Sequence, residues 1–255
     1  MDLIAVLDAA ERKVLFRETA ARMGVSSSVI TEKDFWVCWT LKRLFALQGL
    51  PPLLFKGGTS LSKAFGIIQR FSEDIDLSLN RAELGFGGED DPLVITGANA
   101  RRRKLKALVS ACQSAVREQL YPALNAGIRS ALGDDGWKLE LVSLPDGQLD
   151  LQFSYPAALD AGDYGNLAYV PRTVRVEIGA RSDHDPVVQA RIRSYAADQF
   201  PGMFSAADCE VIALAPERTF WEKATILHSE NHRPVRPGSP PHQWKHLSRH
   251  CSTSQ

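Results

Sequence analysis

The segment from Leu53 to Leu79 constrains the fold most strongly, because its pattern changes from strand to helix and back to strand. It opens with the apolar run "LLF", breaks at Gly57 and Gly58, and ends in "SEDIDLSL", where polar and aliphatic residues alternate. A short apolar run bounded by glycines predicts a buried strand, and strict alternation predicts a strand with one buried face. The residues "TSLSKAFG" between the two strands predict a helix.

Two aspartates lie on one face of the second predicted strand. Residues two apart on a strand point the same way, so Asp74 and Asp76 share a face while the aliphatic residues take the other. Two carboxylates at this spacing lie roughly 6–7 Å apart along the strand and can share a hard cation such as Mg²⁺. The pair therefore predicts a metal site with phosphate as a bridging ligand, although Asp-x-Asp alone is also common on exposed strand edges.

The turn before the predicted helix has the features of a phosphate-binding site. Gly57 and Gly58 let the backbone approach a ligand closely, and Thr59 and Ser60 open a helix whose free N–H groups attract phosphate. The lysines on either side add positive charge; they are Lys56 and Lys63. A phosphate-binding turn beside metal carboxylates predicts a nucleotidyltransferase, in which an acceptor hydroxyl attacks the α-phosphorus of a nucleoside triphosphate.

The overall composition excludes few classes of protein. The 255 residues include 30 Lys plus Arg and 30 Asp plus Glu, so no bulk charge indicates a polyelectrolyte partner. The cysteines are far apart and form no Cys-x-x-Cys pair, which predicts reduced packing cysteines in the cytoplasm; they are Cys38, Cys112, Cys209 and Cys251. Asp2 follows Met1 directly, and no apolar run reaches membrane-spanning length, so we expect neither a signal peptide nor a membrane partner.

Local positive charge leaves contact with nucleic acid open. The run "ARRRKLK" at 100–106 could receive an RNA backbone, and Arg172, Arg175 and Arg181 could add to it. For any single one of these residues a solvated surface is the alternative.

The order of elements predicts an α+β protein with a small mixed central sheet flanked by N-terminal and C-terminal helices. One helix is expected from Leu3 to Met23 with Gly24 as its cap, and a second is expected to begin at a capping box on Thr31. Trp36 and Trp39 are expected in the core. We divide the chain into an N-terminal helical segment at 1–50, a core at 51–182 and a C-terminal helical segment at 183–255.

Four stretches resemble the AbiEii/AbiGii toxin family of nucleotidyltransferases, which belongs to the DNA polymerase β-like superfamily. They are "EKDFWVCWTLKRLF", "FKGGTSLSKAFGIIQRFSEDIDLSL", "VRVEIGARSDHDP" and "APERTFWEKATILH". The resemblance implies a nucleotidyltransferase fold and a metal-dependent toxin of a type IV toxin–antitoxin or abortive-infection system, acting in phage defence. It also implies a nucleoside triphosphate as substrate, Mg²⁺ or Mn²⁺ as cofactor, tRNA as acceptor and a winged-helix antitoxin encoded nearby.

The resemblance assigns site residues by motif. Gly57, Gly58, Thr59 and Ser60 match the family's glycine–hydroxyl signature, and Asp74 and Asp76 match its metal carboxylates. Lys223 in "FWEKATILH" matches a basic position that is expected to contact the nucleotide phosphates. The alternative for Lys223, which the residues alone favour, is a solvated helix lysine paired with Glu217 or Glu222.

A third carboxylate is expected on a neighbouring strand. Enzymes of the superfamily often carry one, as a base for the acceptor hydroxyl or as a further metal ligand. Glu177 in "RTVRVEIGA" is the first candidate and Asp150 in "LDLQF" the second. The alternative for Glu177 is a surface salt bridge with Arg175 or Arg181.

The C-terminal segment departs from the family pattern. The family continues past "SRH" with a tyrosine-rich stretch, an aspartate and a helix, whereas this sequence continues "CSTSQ", so we expect a truncated tail that lacks the last acidic motif. His242, His246 and His250 recur every four residues and could align on a helix as a zinc face. Alternative functions are a transferase that modifies a small molecule or a protein, and a degenerate paralogue that binds nucleotide or antitoxin without catalysis.

Overall fold

The computed structural model describes residues 1–69, 71–144, 148–164 and 170–232. The α-helices are, in chain order, α1 (Asp2–Ala5), α2 (Ala9–Met23), α3 (Ser28–Phe45), α4 (Gly57–Lys63), α5 (Ala98–Ala115), α6 (Tyr121–Leu132), α7 (Ala161–Tyr164), α8 (Tyr195–Gln199) and α9 (Pro216–Asn231). A π-helical turn, Val116–Leu120, joins α5 to α6, and 3₁₀ turns lie at Gly88–Asp90 and Pro201–Met203. No helix in these ranges is both long enough and apolar enough to cross a bilayer.

The described strands form one mixed sheet. They are β1 (Leu53–Lys56), β2 (Asp74–Leu79), β3 (Lys138–Ser143), β4 (Leu149–Ser154), β5 (Thr173–Gly179), β6 (Val187–Ile192) and β7 (Cys209–Leu214). Their order across the sheet is β3-β4-β5-β2-β1-β7-β6, with parallel pairs at β5/β2 and β1/β7 and antiparallel pairs elsewhere. The expectation of an α+β fold with a mixed central sheet is confirmed.

The N-terminal helices begin and end at residues that satisfy their free backbone groups. The side chain of Asp8 accepts a hydrogen bond from the N–H of Glu11 at 2.7 Å, so the predicted single helix divides into α1 and α2. Gly24 has a φ of 67° and ends α2 as predicted. Ser27 is the cap of α3, and the prediction that Thr31 caps this helix is wrong. The Thr31 hydroxyl lies inside α3 and donates to the carbonyl of Phe16 on α2, which ties the two helices together.

Helix α3 forms the centre of the core on one face of the sheet. Trp36 and Trp39 are completely buried, which confirms their predicted packing role. Trp36 stacks on Tyr155 with ring centroids 5.5 Å apart, and Trp39 stacks on Phe153 of β4 at 5.7 Å. Aromatic pairs of this kind add about 0.5–1.5 kcal/mol each beyond the area they bury. The alternation of β2 points its buried residues into the same core, which leaves the opposite face of the strand to Asp74 and Asp76.

The C-terminal segment contributes two strands as well as helices. The expectation of a purely helical segment at 183–255 is wrong, because β6 and β7 extend the sheet beyond β1. In β7, Cys209, Val211 and Ala213 are buried while Glu210 is exposed, so this strand alternates between core and solvent. The remaining parts of the proposed division into three segments stay a prediction.

A buried ion pair joins α4 to α3. The ammonium group of Lys63 contacts the carboxylate of Asp34, which is completely buried and also accepts the N–H of Tyr195 at 2.6 Å. Lys63 also donates to the carbonyl of Arg193 at 3.2 Å. Burial alone would lower the pKa of Lys63, but the carboxylate of Asp34 raises it above its ordinary value, which favours the charged ammonium form of Lys63.

We expect Asp34→Ala to cost roughly 3–5 kcal/mol of unfolding free energy, because it leaves the Lys63 ammonium buried without a counter-charge. Urea unfolding monitored by tryptophan fluorescence measures this change. In the double variant Asp34→Ala/Lys63→Met much of the loss should be recovered, since no unpaired charge then remains.

Asp208→Ala provides the matched control. Asp208 pairs with Arg193 at 3.0 Å, but its side chain is 47% exposed, so its removal should cost less than about 1 kcal/mol. Equal losses for Asp34→Ala and Asp208→Ala would contradict a stabilising role for the buried pair.

Candidate active site

Four charged residues stand directly opposite one another on adjacent strands. Lys56 of β1 faces Asp76 of β2, Asp76 faces Glu177 of β5, and Glu177 faces Asp150 of β4. We call these four residues the cross-strand row. Neighbours in such a row have Cβ atoms about 4.5–5.5 Å apart, close enough for their charges to interact strongly. Two residues earlier on β2, Asp74 stands opposite Arg175 of β5 in the same way.

Gly57 lies against the carboxylate of Asp76. Its φ is 77°, and a Cβ built on it would come within 1.9 Å of the Asp76 Oδ2 atom. Glycine is therefore required here for two reasons: the left-handed backbone and the close approach of the carboxylate. The predicted glycine turn thus determines where the Asp76 carboxylate lies.

Arg175 links the carboxylates of β4 and β5. Its guanidinium donates to the Asp150 Oδ2 atom from Nε at 2.7 Å and from Nη2 at 2.5 Å, and its Nη1 lies 3.0 Å from the Glu177 Oε1 atom. The side chain of Asp150 is only 1% exposed and is held by this arginine, whereas that of Glu177 is 30% exposed. The salt bridge between Glu177 and Arg175 is present, and Glu177 also faces Asp76, so Glu177 stays the first candidate for the third carboxylate.

Burial and mutual repulsion raise the pKa values of two carboxyl groups at this face. Burial, then the neighbouring Glu73, raise the pKa of Asp74 to about 6 despite the opposing effect of Arg175. Burial and the charge of Asp76 raise the pKa of Glu177 to about 7. Such shifts are typical of sites where carboxylates are held together for a cation or for proton transfer.

A cleft lies beside the cross-strand row. Its volume is about 250 Å³, and Lys56, Asp76 and Glu177 line it on the sheet side. Side chains of α5, among them Leu108 and Cys112, line the opposite side. There is therefore space for a ligand directly against the two carboxylates Asp76 and Glu177.

The hydroxyl groups of the turn are used within the protein. Thr59 donates to the carbonyl of Asp74, and Ser60 donates to the carbonyl of Gly57 at 2.9 Å. Both residues are completely buried, and Gly58 is buried beside them in the first turn of α4. These hydroxyls hold the turn against the start of β2, so the contribution of Thr59 and Ser60 is to its shape.

Two of the three lysines assigned to phosphate do not line the cleft. Lys63 points toward α3 and is neutralised by Asp34, so the prediction that it flanks a phosphate does not match its placement. Its position in α4 turns it away from the cross-strand row. Lys223 is half-buried on α9 and does not line the cleft described above.

Asp183 attaches α9 to the core. One carboxylate oxygen of Asp183 accepts from Arg81 after β2, and the other accepts from Arg218 in the first turns of α9. Arg81 also donates to Asp91 at 2.8 Å. We call Asp183, Arg81 and Arg218 the arginine clamp.

The chain matches the family model described as nucleotidyl transferase AbiEii toxin, type IV TA system, over residues 39–247. This match covers most of the sequence. The chain belongs to the AbiEii family. From its glycine turn and paired aspartates, Asp76 lines the cleft, and Gly57 lies against the Asp76 carboxylate.

Among solved structures, the AbiEii-family chain is similar to MenT4, a nucleotidyltransferase toxin from Mycobacterium tuberculosis H37Rv. The two share 19% sequence identity with a TM-score of 0.45, and the similarity covers 84% of this chain and 58% of MenT4. The chain thus spans little more than half the length of that relative. No curated protein matches the chain.

The donor groups at the cross-strand row suit a hard divalent cation. Among the described residues no three or more His, Cys, Asp or Glu side chains already form a metal site. The carboxylates of Asp74 and Asp76 nevertheless share one face, and Gly57 leaves room for the Asp76 oxygens. Carboxylate oxygens and raised pKa values fit an ion that takes its other ligands from water or phosphate. His242, His246 and His250, the candidate zinc face, lie outside the described residues.

Sequence reasoning missed the part that Arg175 and the helix α5 play at the site. The alternation of β5 already placed Arg175 and Glu177 on one face. The pairing of Arg175 with Asp150 depends on the register between β4 and β5, which no local pattern specifies.

We expect Gly57→Ala to disturb the Asp76 carboxylate specifically. The substitution adds backbone strain and also forces the side chain of Asp76 to move. It should therefore lower the unfolding free energy by at least about 1 kcal/mol more than backbone strain alone would. Gly85→Ala is the matched control, because Gly85 has a φ of 84° with nothing within 4 Å of its added Cβ. Urea unfolding of both variants, with Mn²⁺ binding measured by electron paramagnetic resonance, tests this. Equal stability and equal Mn²⁺ binding in the two variants would contradict the close-approach argument.

We expect the stability of the metal-free protein to fall as pH rises through the range set by Glu177. The folded state keeps the Glu177 proton up to a pKa of about 7, while the unfolded state loses it near 4.5. The contribution of protonated Glu177 to the unfolding free energy is therefore lost as pH rises between these two values. Glu177→Gln should therefore flatten the pH profile of unfolding free energy measured with chelator present. Glu140→Gln is the control, since Glu140 on β3 is 44% exposed and pairs with Lys138 at the surface. If the unfolding free energies of wild type and Glu177→Gln changed with pH in parallel, the raised pKa of Glu177 would be contradicted.

Proposed function

We propose that this chain is a metal-dependent nucleotidyltransferase toxin that transfers a nucleotide from a nucleoside triphosphate to RNA, with tRNA as the acceptor. The observation that carries the proposal is the cross-strand row beside a cleft, where Lys56, Asp76 and Glu177 line one space. Membership of the AbiEii family supports the reaction class and an antitoxin partner. A winged-helix antitoxin encoded nearby, a role in phage defence and action in the cytoplasm belong to the same proposal.

Asp74 and Asp76 are the residues that would hold the divalent ion. Mg²⁺ or Mn²⁺, when bound, supplies charge neutralisation for the triphosphate and polarises the α-phosphoryl group. Gly57 keeps the Asp76 carboxylate in place, and Gly58, Thr59 and Ser60 maintain the shape of the turn behind it. Lys56, at the end of β1, would contact a phosphate from the sheet side of the cleft.

Glu177 is suited to take a proton from the acceptor hydroxyl. A pKa of about 7 lets it accept a proton near neutral pH, and its place beside Asp76 puts it next to the reacting phosphate. The hydroxyl oxygen then bonds to the α-phosphorus while the bond to the bridging oxygen breaks and pyrophosphate leaves. Lys223 stays a prediction as a phosphate contact, and it would have to act from α9 outside the described wall of the cleft.

The acceptor is tested with purified protein, a tRNA pool, Mg²⁺ and each α-labelled nucleoside triphosphate in turn. Label on tRNA is the expected result. Label on a protein or a small molecule would overturn the RNA acceptor and favour the second transferase hypothesis. Bound nucleotide with no label transferred to any acceptor would indicate the degenerate binding paralogue.

We expect Asp76→Asn to lower transfer by at least roughly 100-fold, because it weakens the metal site without changing the shape of the side chain. Glu140→Gln removes an exposed carboxylate of the same sheet that does not line the cleft, and it should leave transfer unchanged. Expression of Asp76→Ala in cells should likewise abolish growth inhibition. Full activity or toxicity in either Asp76 variant would contradict the metal-site assignment.

A further inference from the structure

Two basic side chains that line the cleft differ from the other basic side chains around the site in their ion pairing. Lys56 stands at the end of β1, and Arg181 follows the end of β5 by two residues; both line the cleft together with Asp76 and Glu177. The cleft is therefore lined by both signs of charge. Its volume of about 250 Å³ equals roughly eight waters at the volume of liquid water, which is room for part of a nucleotide.

Nearby basic groups are already neutralised by carboxylates. Lys33 pairs with Glu73, Lys63 pairs with Asp34, and Arg175 pairs with Asp150. Each of these contacts fixes the cation to a protein anion, so binding a phosphate there would require an existing ion pair to break. Because a broken buried pair is costly, these groups are poor phosphate ligands.

Within the described residues, Lys56 and Arg181 form no ion pair. Lys56 is the cross-strand neighbour of Asp76, yet its ammonium group lies beyond 4 Å of any described carboxylate oxygen. Arg181 contributes its backbone carbonyl to Arg81 at 3.3 Å and leaves its guanidinium exposed. The side chains of these two residues are therefore the basic groups of the cleft that can take an anion at no cost in existing contacts.

We propose that Arg181 acts together with Lys56 to hold the phosphate chain of the nucleoside triphosphate, so that Arg181 takes the role that sequence reasoning gave to Lys63 beside Lys56. This inference rests on the proposed function and names the groups that bind its substrate. Arginine is the stronger ligand of the two, since its planar fork can donate two parallel hydrogen bonds to phosphate oxygens. Lysine adds a compact charge from the end of β1.

The carboxylates in the same cleft make this binding depend on a divalent ion. Asp76 and Glu177 would repel a bare triphosphate, and a cation between them and the phosphates removes that repulsion. Lys56 and Arg181 should therefore strengthen the binding of the metal complex of the nucleotide far more than that of the metal-free nucleotide.

The test is a calorimetric titration of each nucleoside triphosphate into the full-length protein with Ca²⁺ or Mg²⁺, and of the matching nucleoside without phosphates. Arg181→Gln and Lys56→Gln should each weaken triphosphate binding by about tenfold or more, the loss expected for a hydrogen bond to a charged group. Binding of the nucleoside should change by less than about twofold, because neither residue is expected to contact it.

Arg191→Gln is the matched control. Arg191 is a 70% exposed arginine on β6 of the same sheet, where it pairs with Glu210 away from the cleft. It should leave triphosphate binding unchanged. Urea unfolding midpoints of Lys56→Gln and Arg181→Gln should equal that of the wild type, since neither residue forms an ion pair with a described residue.

The outcomes separate the inference from the proposed function. Tight binding by the wild type with unchanged binding by Arg181→Gln and Lys56→Gln would overturn the inference and leave the transferase proposal standing. Equal losses for triphosphate and nucleoside would also overturn it, because that result places the two residues near the base or ribose. A wild-type protein that binds no triphosphate with either metal would overturn both proposals together.

Discussion

Strand β2 is hydrogen-bonded to β1 on one side and to β5 on the other, and the register of these two pairings places Lys56, Asp76 and Glu177 beside one another at the cleft. Lys56 and Glu177 each stand opposite Asp76 because of it. A slip of one residue would turn the carboxylates into the core and the aliphatic residues toward the cleft. The burial of Ile75 and Leu77 against the core makes such a slip costly, so the same packing that stabilises the sheet also fixes the site.

The site concentrates negative charge that the rest of the fold must tolerate. Asp74, Asp76 and Glu177 lie together on one face, and the raised pKa values of Asp74 and Glu177 express the cost of ionising all three. Arg175 offsets part of that cost, because it neutralises Asp150 and contacts Glu177. Aromatic packing around α3, on the other face of the sheet, stabilises the fold against the repulsion that remains.

Local sequence patterns were enough to predict the elements that carry the site. Alternation in "SEDIDLSL" placed Asp74 and Asp76 on one face, and the apolar pattern of "FWVCWTLKRLF" placed Trp36 and Trp39 in the core. Strands β6 and β7 were not predicted. β6 is an exposed edge strand in which apolar and polar residues alternate only weakly, and the helices follow it closely in the sequence. Patterns of this kind decide which face a residue occupies, but not which partner it meets.

Partners distant in sequence account for the remaining differences. Lys63 meets Asp34 and Arg175 meets Asp150, and in each pair the two residues come together only when the sheet and α3 have assembled. The hydroxyls of Thr59 and Ser60 resemble ligand groups in the sequence, yet they bond to backbone carbonyls that lie close only in the folded turn. Which basic groups stay available to a ligand is thus a property of the assembled protein.

The arginine clamp has a mechanical consequence. Because both oxygens of the single Asp183 carboxylate are occupied, one by Arg81 and the other by Arg218, the start of α9 and the loop after β2 share one anchor point. A displacement of α9 by any molecule that pulls on its exposed Phe220 and Trp221 would be transmitted through that anchor to the segment that directly follows β2. The outer helix and the segment after β2 are therefore joined through one side chain that lies outside the hydrogen bonds of the sheet.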